Sequence, residues 1–252
     1  MTQIKQIFID WKDGEVHGRT WFEQKNVSLR SILKQCQEGF LVKIGPSAFM
    51  KKGDELTWQA LVRFIQVELK IPVHVSGRSA LELQGVSHYL AMGKLTPTLL
   101  SYEIKRLPAW VFSVSNSFEL KFKKSNIFGV ENHLIEITEN NARIWASCRE
   151  LAILEFITEL DLKNGLETVE NYMNSLMTLR PAVLQQILVE SESVLANRVF
   201  LYVAEKLHMP FFKELDLSQI NLGTGKRVVV EGGKLDKKYL ITVDRTEEEN
   251  PF

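Results

Sequence analysis

At 252 residues, with 45% hydrophobic and 25% charged residues, the chain has the composition of a soluble globular protein long enough for two domains. Lys and Arg number 31 and Asp and Glu 31, so the net charge is zero. A dedicated nonspecific nucleic-acid binder would be strongly basic, so any contact with DNA has to come from a local patch. No run reaches the roughly 18 apolar residues of a membrane span, and Met1–Phe8 lacks the apolar core of a secretory signal. The expectation is a cytoplasmic protein with no membrane contact.

Ile4, Ile7, Phe8 and Trp11 recur at helical spacing and predict a first helix closed by Lys12-Asp13-Gly14. A short second helix over Thr20–Lys25 turns Trp21 and Phe22 inward, and Asn26-Val27 leads into a third. There, from Ser28 to Gln37, Leu29, Ile32, Leu33 and Cys36 fall at i, i+3, i+4 and i+7. Ser28 is the expected N-cap and Gly39 the left-handed stop. The opposite face carries Ser28, Arg30, Ser31, Lys34, Gln35 and Gln37, side chains that reach base edges and phosphates in a major groove. The same face also fits the plain solvated side of a small amphipathic helix. Phe40–Ile44, a turn at Gly45-Pro46-Ser47 and Ala48–Lys51 predict a hairpin. Helix, glycine, hairpin is the layout of a recognition helix followed by a wing. Five cations (Arg30, Lys34, Lys43, Lys51, Lys52) stand there against one Glu38. The expected DNA contacts are Ser28, Arg30, Ser31, Lys34 and Gln35 toward the bases, with Lys43, Lys51 and Lys52 on phosphates.

The nearest thing to a boundary is Lys51–Thr57, which divides the chain into a DNA-binding domain at 1–56 and a larger domain at 57–252. In the latter, Trp58, Leu61, Val62, Ile65 and Leu69 predict a helix over Thr57–Lys70, ended by Pro72. Val73–Ser76 reads as a strand, and Gly77 opens a turn into a helix running toward Leu90. That geometry either holds an anion on backbone N–H groups or is simple packing. Strands over Thr96–Tyr102, Trp110–Val114, Phe118–Lys123, Leu134–Thr138 and Arg143–Ala146 suggest a mainly antiparallel sheet, with Asn140-Asn141 as a hairpin turn. Ser147 and Glu150 have capping-box spacing ahead of a helix through Leu151, Leu154 and Ile157. Helices follow near Leu166–Met177, Pro181–Glu190 and Val194–Leu207. Strands at Arg227–Val230 and Tyr239–Val243, separated by Gly232–Asp236, end the fold before a loose tail at Glu247–Asn250. The class is α+β: an N-terminal winged helix-turn-helix plus a larger mixed domain with antiparallel strands and a helical bundle.

Chemistry is sparse. The five histidines are far apart, and Cys36 and Cys148 have no partner at ligand spacing, so no metal, cofactor or catalytic residue is expected. Gly223-Thr-Gly-Lys-Arg227 lacks the glycine spacing of a phosphate loop and reads better as a basic turn. Lys226, Arg227, Lys234, Lys237 and Lys238 gather in two loops, either as solvated charge or as an electropositive patch for DNA or an acidic partner.

Several blocks, taken in order, resemble one family. They are Pro72-Val-His-Val-Ser-Gly-Arg-Ser-Ala-Leu-Glu-Leu-Gln-Gly-Val-Ser-His-Tyr-Leu90, Ser147-Cys-Arg-Glu-Leu-Ala-Ile-Leu-Glu155, Thr178-Leu-Arg-Pro181, Arg198-Val-Phe-Leu-Tyr-Val-Ala-Glu205 and Leu222-Gly-Thr-Gly-Lys-Arg227 with Gly232–Val243. From about Trp11 to Val243 the chain looks like an AbiEi antitoxin of the type IV toxin–antitoxin systems. The resemblance implies a bacterial, non-enzymatic transcriptional regulator that represses its own operon by binding inverted repeats in promoter DNA. It also implies a nucleotidyltransferase-like toxin partner, counteracted through the C-terminal domain without a stable complex being required. Two departures stand out. Gly45-Pro46-Ser47-Ala48-Phe49 lacks the wing-tip arginine frequent in the family, and Leu195-Ala-Asn-Arg198 replaces a more basic stretch. The alternative from the residues alone is a protein-interaction module that does not bind DNA and acts only through its C-terminal domain.

Overall fold

The computed structural model of the chain describes residues 3–86, 95–129, 132–163 and 165–245. The expected helix end at Ser87–Leu90, the tail Glu247–Asn250 and the side chain of Ile4 lie outside them. The chain forms two compact units, each discontinuous in sequence: Met1–Val75, Ala91–Lys124 and Ile135–Ala146 make the first, and Ser76–Leu90, Ser125–Leu134 and Ser147–Phe252 the second.

The first unit opens with α1 (Gln3–Asp10), β1 (His17–Gly18), α2 (Arg19–Gln24), α3 (Leu29–Gln37), β2 (Leu41–Gly45) and β3 (Ala48–Lys51). The three strands pair in the order β1-β3-β2, all antiparallel, which is the topology of a winged helix-turn-helix. Ile7, Trp11, Phe22, Val27, Ile32, Leu41 and Phe49 close one core between the helices and the sheet. Asn26 takes φ 57° in the turn between α2 and α3, a left-handed conformation that asparagine tolerates. The strand β1 has no alternating pattern to announce it: it is two residues pinned by Glu68, whose carboxylate accepts from Gly18 N–H at 3.2 Å and lies 2.9 Å from His17 Nδ1.

The helix expected over Thr57–Lys70 is α4 (Trp58–Arg63), continued by a π-helical turn at Phe64–Glu68. Thr57 Oγ1 caps it, accepting from Ala60 N–H at 3.2 Å. Its buried side packs Ala60 and Phe64 onto Val16, Ala48 and Met50 of the winged helix. Trp110 joins the same core, and its ring lies so close to Gly45 that a Cβ there would meet it at 2.7 Å. Residues 1–56 thus share one interior with segments that follow them.

A five-stranded sheet of order β6-β5-β4-β8-β7 is built from β4 (His74–Val75), β5 (Thr98–Ser101), β6 (Lys121–Lys124), β7 (Leu134–Glu139) and β8 (Ala142–Ser147). It is mixed rather than mainly antiparallel: β4 pairs antiparallel with β5, but parallel with β8, and β5 runs parallel to β6. Asn140 and Asn141, at φ 48° and 61°, make the tight turn between β7 and β8. Trp110–Val114 is not a strand; Ala109–Phe112 is a 3₁₀ turn that tucks Val111 inside.

The second unit holds α5 (Gly77–Leu83), α6 (Arg149–Glu159), α7 (Glu167–Asn174), α8 (Pro181–Glu190) and α9 (Val194–Lys206), then the strand pair β9 (Lys234–Asp236) and β10 (Ile241–Val243). Every residue of α6 from Glu150 to Ile157 is buried, as an all-round apolar sequence requires, and α5, α7, α8 and α9 pack around it. The capping box does not form: the N-cap is Cys148, and Ser147 Oγ donates instead to Glu155 at 2.7 Å. The same Glu155 oxygen accepts from Gly77 N–H at 2.9 Å, so the anion on the glycine turn is one of the chain's own carboxylates. Gly77, at φ +52°, leaves no room for a side chain, since a Cβ would lie 2.3 Å from Glu159 Oε1. The expected strand Arg227–Val230 reduces to a bridge from Arg227 to Ile241; the partner of β10 is β9, within the stretch expected as a connecting loop.

Candidate nucleic-acid interface

The helix α3 is fixed from both ends. Ser28 Oγ accepts from Ser31 N–H at 3.3 Å and lies 3.1 Å from Ser31 Oγ, and Gly39 at φ +80° breaks the helix so that Phe40 N–H reaches Gln35 O at 3.0 Å. Ile32 is buried and Cys36 half-buried against the core, which turns Arg30, Lys34 and Gln37 to solvent. Burial raises the Cys36 thiol pKa, while the Lys43 ammonium on β2 lowers it. Neither cysteine forms a disulfide.

The apolar stripe is narrower than its spacing suggests. Leu29 and Leu33 are 38% and 41% exposed, because the core built from the other helices and the sheet takes up only the Ile32–Cys36 side of a nine-residue helix. The site residues also differ in how freely they are held. Arg30, Lys43 and Lys52 are exposed, and among the described residues none of the three makes an ion pair or side-chain hydrogen bond. Gln35 Nε2 donates to Glu38 Oε2 at 2.9 Å, and Lys34 Nζ lies 3.7 Å from Glu38 Oε1. Lys51 Nζ donates to Asp13 Oδ1 at 2.8 Å. Two carboxylates therefore partly neutralise the expected patch. Glu38 is legible as the N-to-C i+4 partner of Lys34; Asp13, 38 residues from Lys51, is not.

Lys226 and Arg227 are exposed on a loop held from beneath by Arg198, whose residue is 1% exposed. Arg198 donates through Nε to Leu222 O at 2.6 Å and through Nη1 to Gly225 O and Leu240 O at 2.8 and 3.2 Å. Burial, with Arg227 nearby, lowers the pKa of this guanidinium. Lys234, Lys237 and Lys238 are all exposed, and Lys238 is bound to Glu205 and lies over the rings of Tyr239 and Phe212. Lys238 holds Glu205 below the usual carboxylate range, and Tyr239 O–H donates to the other Glu205 oxygen at 2.8 Å. It is a cross-link more than a free charge.

One cationic feature escaped the pattern reading. The edge strand β6 carries Lys121, Lys123 and Lys124, with Lys105 and Arg106 exposed in the same unit, and Lys124 Nζ donates to Glu103 O at 3.3 Å. The run Lys-Phe-Lys-Lys was the available signal. Lysines on an edge strand discourage pairing with a further strand. Among the described residues no three His, Cys, Asp or Glu side chains gather as metal ligands, and no helix is long and apolar enough to cross a membrane.

A winged helix-turn-helix followed by a larger α+β portion defines the fold class of the chain. The family model described as a transcriptional regulator, AbiEi antitoxin N-terminal domain, matches residues 1–92. The model described as a transcriptional regulator, AbiEi antitoxin, type IV toxin–antitoxin system, matches residues 96–244. The chain belongs to the AbiEi antitoxin family, as the ordered sequence blocks led one to expect. Among solved structures, the RV2827C protein from Mycobacterium tuberculosis is similar in fold, with a TM-score of 0.64 at 12% identity over 95% of this chain and 89% of that one. No curated protein matches the sequence.

Proposed function

We propose that this chain is a cytoplasmic, DNA-binding autorepressor and antitoxin of a type IV toxin–antitoxin system. Residues 1–56 bind inverted repeats in the promoter of its own operon, and residues 57–252 counteract a nucleotidyltransferase-like toxin without a stable complex being required. The observation that carries the reading is α3. Its inner side is spent on the core, while Arg30 and Lys34 project from the outer side one helical turn apart. Such a pair reaches guanine O6 and N7 in the major groove, and Lys43, Lys51 and Lys52 on and beside the wing reach phosphates. The exposed Lys226, Arg227, Lys234 and Lys237 offer a further surface to DNA or to the acidic side of a partner.

The test is a gel shift with the promoter duplex upstream of the operon. Arg30→Ala/Lys34→Ala is expected to weaken binding by ~1–3 kcal/mol per lost base contact and to relax sequence preference. Lys51→Ala is expected to weaken all duplexes alike and to lower the salt slope by about one. Unchanged binding by the double variant removes α3 from the interface. The second reading, a module that acts by protein contact alone, draws on Glu38 and Asp13, which already occupy Lys34, Gln35 and Lys51. It requires toxin neutralisation to persist in a variant that has lost every specific DNA contact.

A further inference from the structure

The helix α3 exposes two leucines that the fold does not use. Viewed down the helix at about 100° per residue, Leu29 and Leu33 fall between the buried Ile32–Cys36 side and the outward Arg30–Lys34 side. They stand one turn apart, each next in sequence to one of the two cations, and each keeps about two fifths of its surface in water. Among the described residues Leu29 and Leu33 do not join the core built from Ile7, Trp11, Phe22, Val27, Ile32, Leu41 and Phe49. A free helix gains nothing from this arrangement, because exposed leucine surface is a cost that burial would remove.

We infer that Leu29 and Leu33 form a sequence-reading apolar strip whose ligand is the C5-methyl group of thymine on the major-groove edge of duplex DNA. The inference rests on the DNA-binding reading of α3 and adds to it which bases the helix selects. Charge complementarity supplies the argument for this occupant. Arg30 and Lys34 make this side of the helix attractive to a phosphate-lined groove, where the thymine methyl is the apolar group that base edges present. Leu29 is the first residue of the helix and Leu33 lies one turn on, within the N-terminal part that meets base edges in helix-turn-helix proteins. The strip therefore selects thymine at positions adjoining the guanines read by Arg30 and Lys34.

Replacing thymine by deoxyuridine deletes that methyl and nothing else, which gives a direct test with the full chain and its promoter duplex. Thymines are exchanged one at a time, and binding is measured for the native protein, Leu29→Ala/Leu33→Ala and Leu29→Met/Leu33→Met. The native protein is expected to lose about fourfold in affinity at each contacted thymine, the worth of one buried methyl-sized group. The alanine variant is expected to be indifferent to the exchange, and the methionine variant, which keeps an apolar reach, to regain sensitivity. Equal losses for native and alanine proteins, or no loss at any thymine, overturn the inference. If Arg30→Ala still weakens binding in that case, the DNA-binding reading stands without it. Failure of the native protein to bind the duplex at all overturns both.

Discussion

Arg30 and Arg198 are one residue type put to opposite uses in the two units. On α3, Arg30 is exposed and makes no ion pair or side-chain hydrogen bond among the described residues; on α9, Arg198 is enclosed and gives its N–H groups to three backbone carbonyls. Lys34 and Lys51 in the first unit hold carboxylates that are themselves exposed, whereas in the second unit the carboxylate of Glu150 is buried beneath an Arg180 side chain that reaches solvent. Surface pairs of the first kind are worth little to stability and are easily exchanged for another anion. Enclosed groups such as Arg198 and Glu150 are costly to disturb, because a buried polar group that loses its partner has no water to turn to. Charge in the first unit is thus available for recognition, and much of the charge in the second is architecture.

The largest effect is expected from breaking the architecture. Arg198→Leu leaves the carbonyls of Leu222, Gly225 and Leu240 without their donor and should destabilise the protein by about 3–5 kcal/mol. A urea midpoint close to that of the native protein would show that the enclosed arginine holds nothing.

Next is Glu150. Burial alone would raise its carboxyl, but the Arg180 guanidinium and the Arg180 backbone N–H, all at 2.8–2.9 Å, outweigh it and hold the group at about 2. A depressed carboxyl contributes stability that is present above its unfolded value near 4.5 and is lost as pH falls toward 2. Stability measured from pH 6 downward should therefore decline over that window in the native protein. In Glu150→Gln it should start about 1–2 kcal/mol lower, since the Arg180 left behind is solvated, and decline less. Parallel curves would contradict the pairing.

The smallest effect sharpens the other half of the comparison. Glu38→Gln frees Lys34 and Gln35 from a carboxylate and removes a charge that repels phosphate. Affinity for specific and random duplexes alike should rise by about threefold, with little change in stability. A fall in affinity would make Glu38 a reader of bases rather than a counter-charge.

Much of the winged helix was legible because its signals are local. Ser28 caps, Gly39 stops, and Ala48–Lys51 pairs back on Leu41–Gly45, each within a few residues of the pattern that announces it. What could not be read depends on partners distant in sequence. Strand β1 exists because Glu68 anchors it, and the parallel pairing of β5 with β6 has no local signature. Ser147 looked like a cap until Glu155 claimed it. At the interface, Arg30 and Lys34 follow from helical spacing. The exposure of Leu29 and Leu33 depends instead on how much of the helix the neighbouring helices and sheet cover, which periodicity does not carry.

The seam at which Val16, Ala48 and Met50 meet Ala60, Phe64 and Trp110 bears on how such a molecule can be re-engineered or recombined. A reader lifted out at residue 56 would carry a bare greasy edge, and its recipient would lack the indole that backs the wing at Gly45. Retargeting by transplant must therefore move α4 and the Trp110 segment along with the wing, or else change specificity in place, by substitutions confined to the outer side of α3.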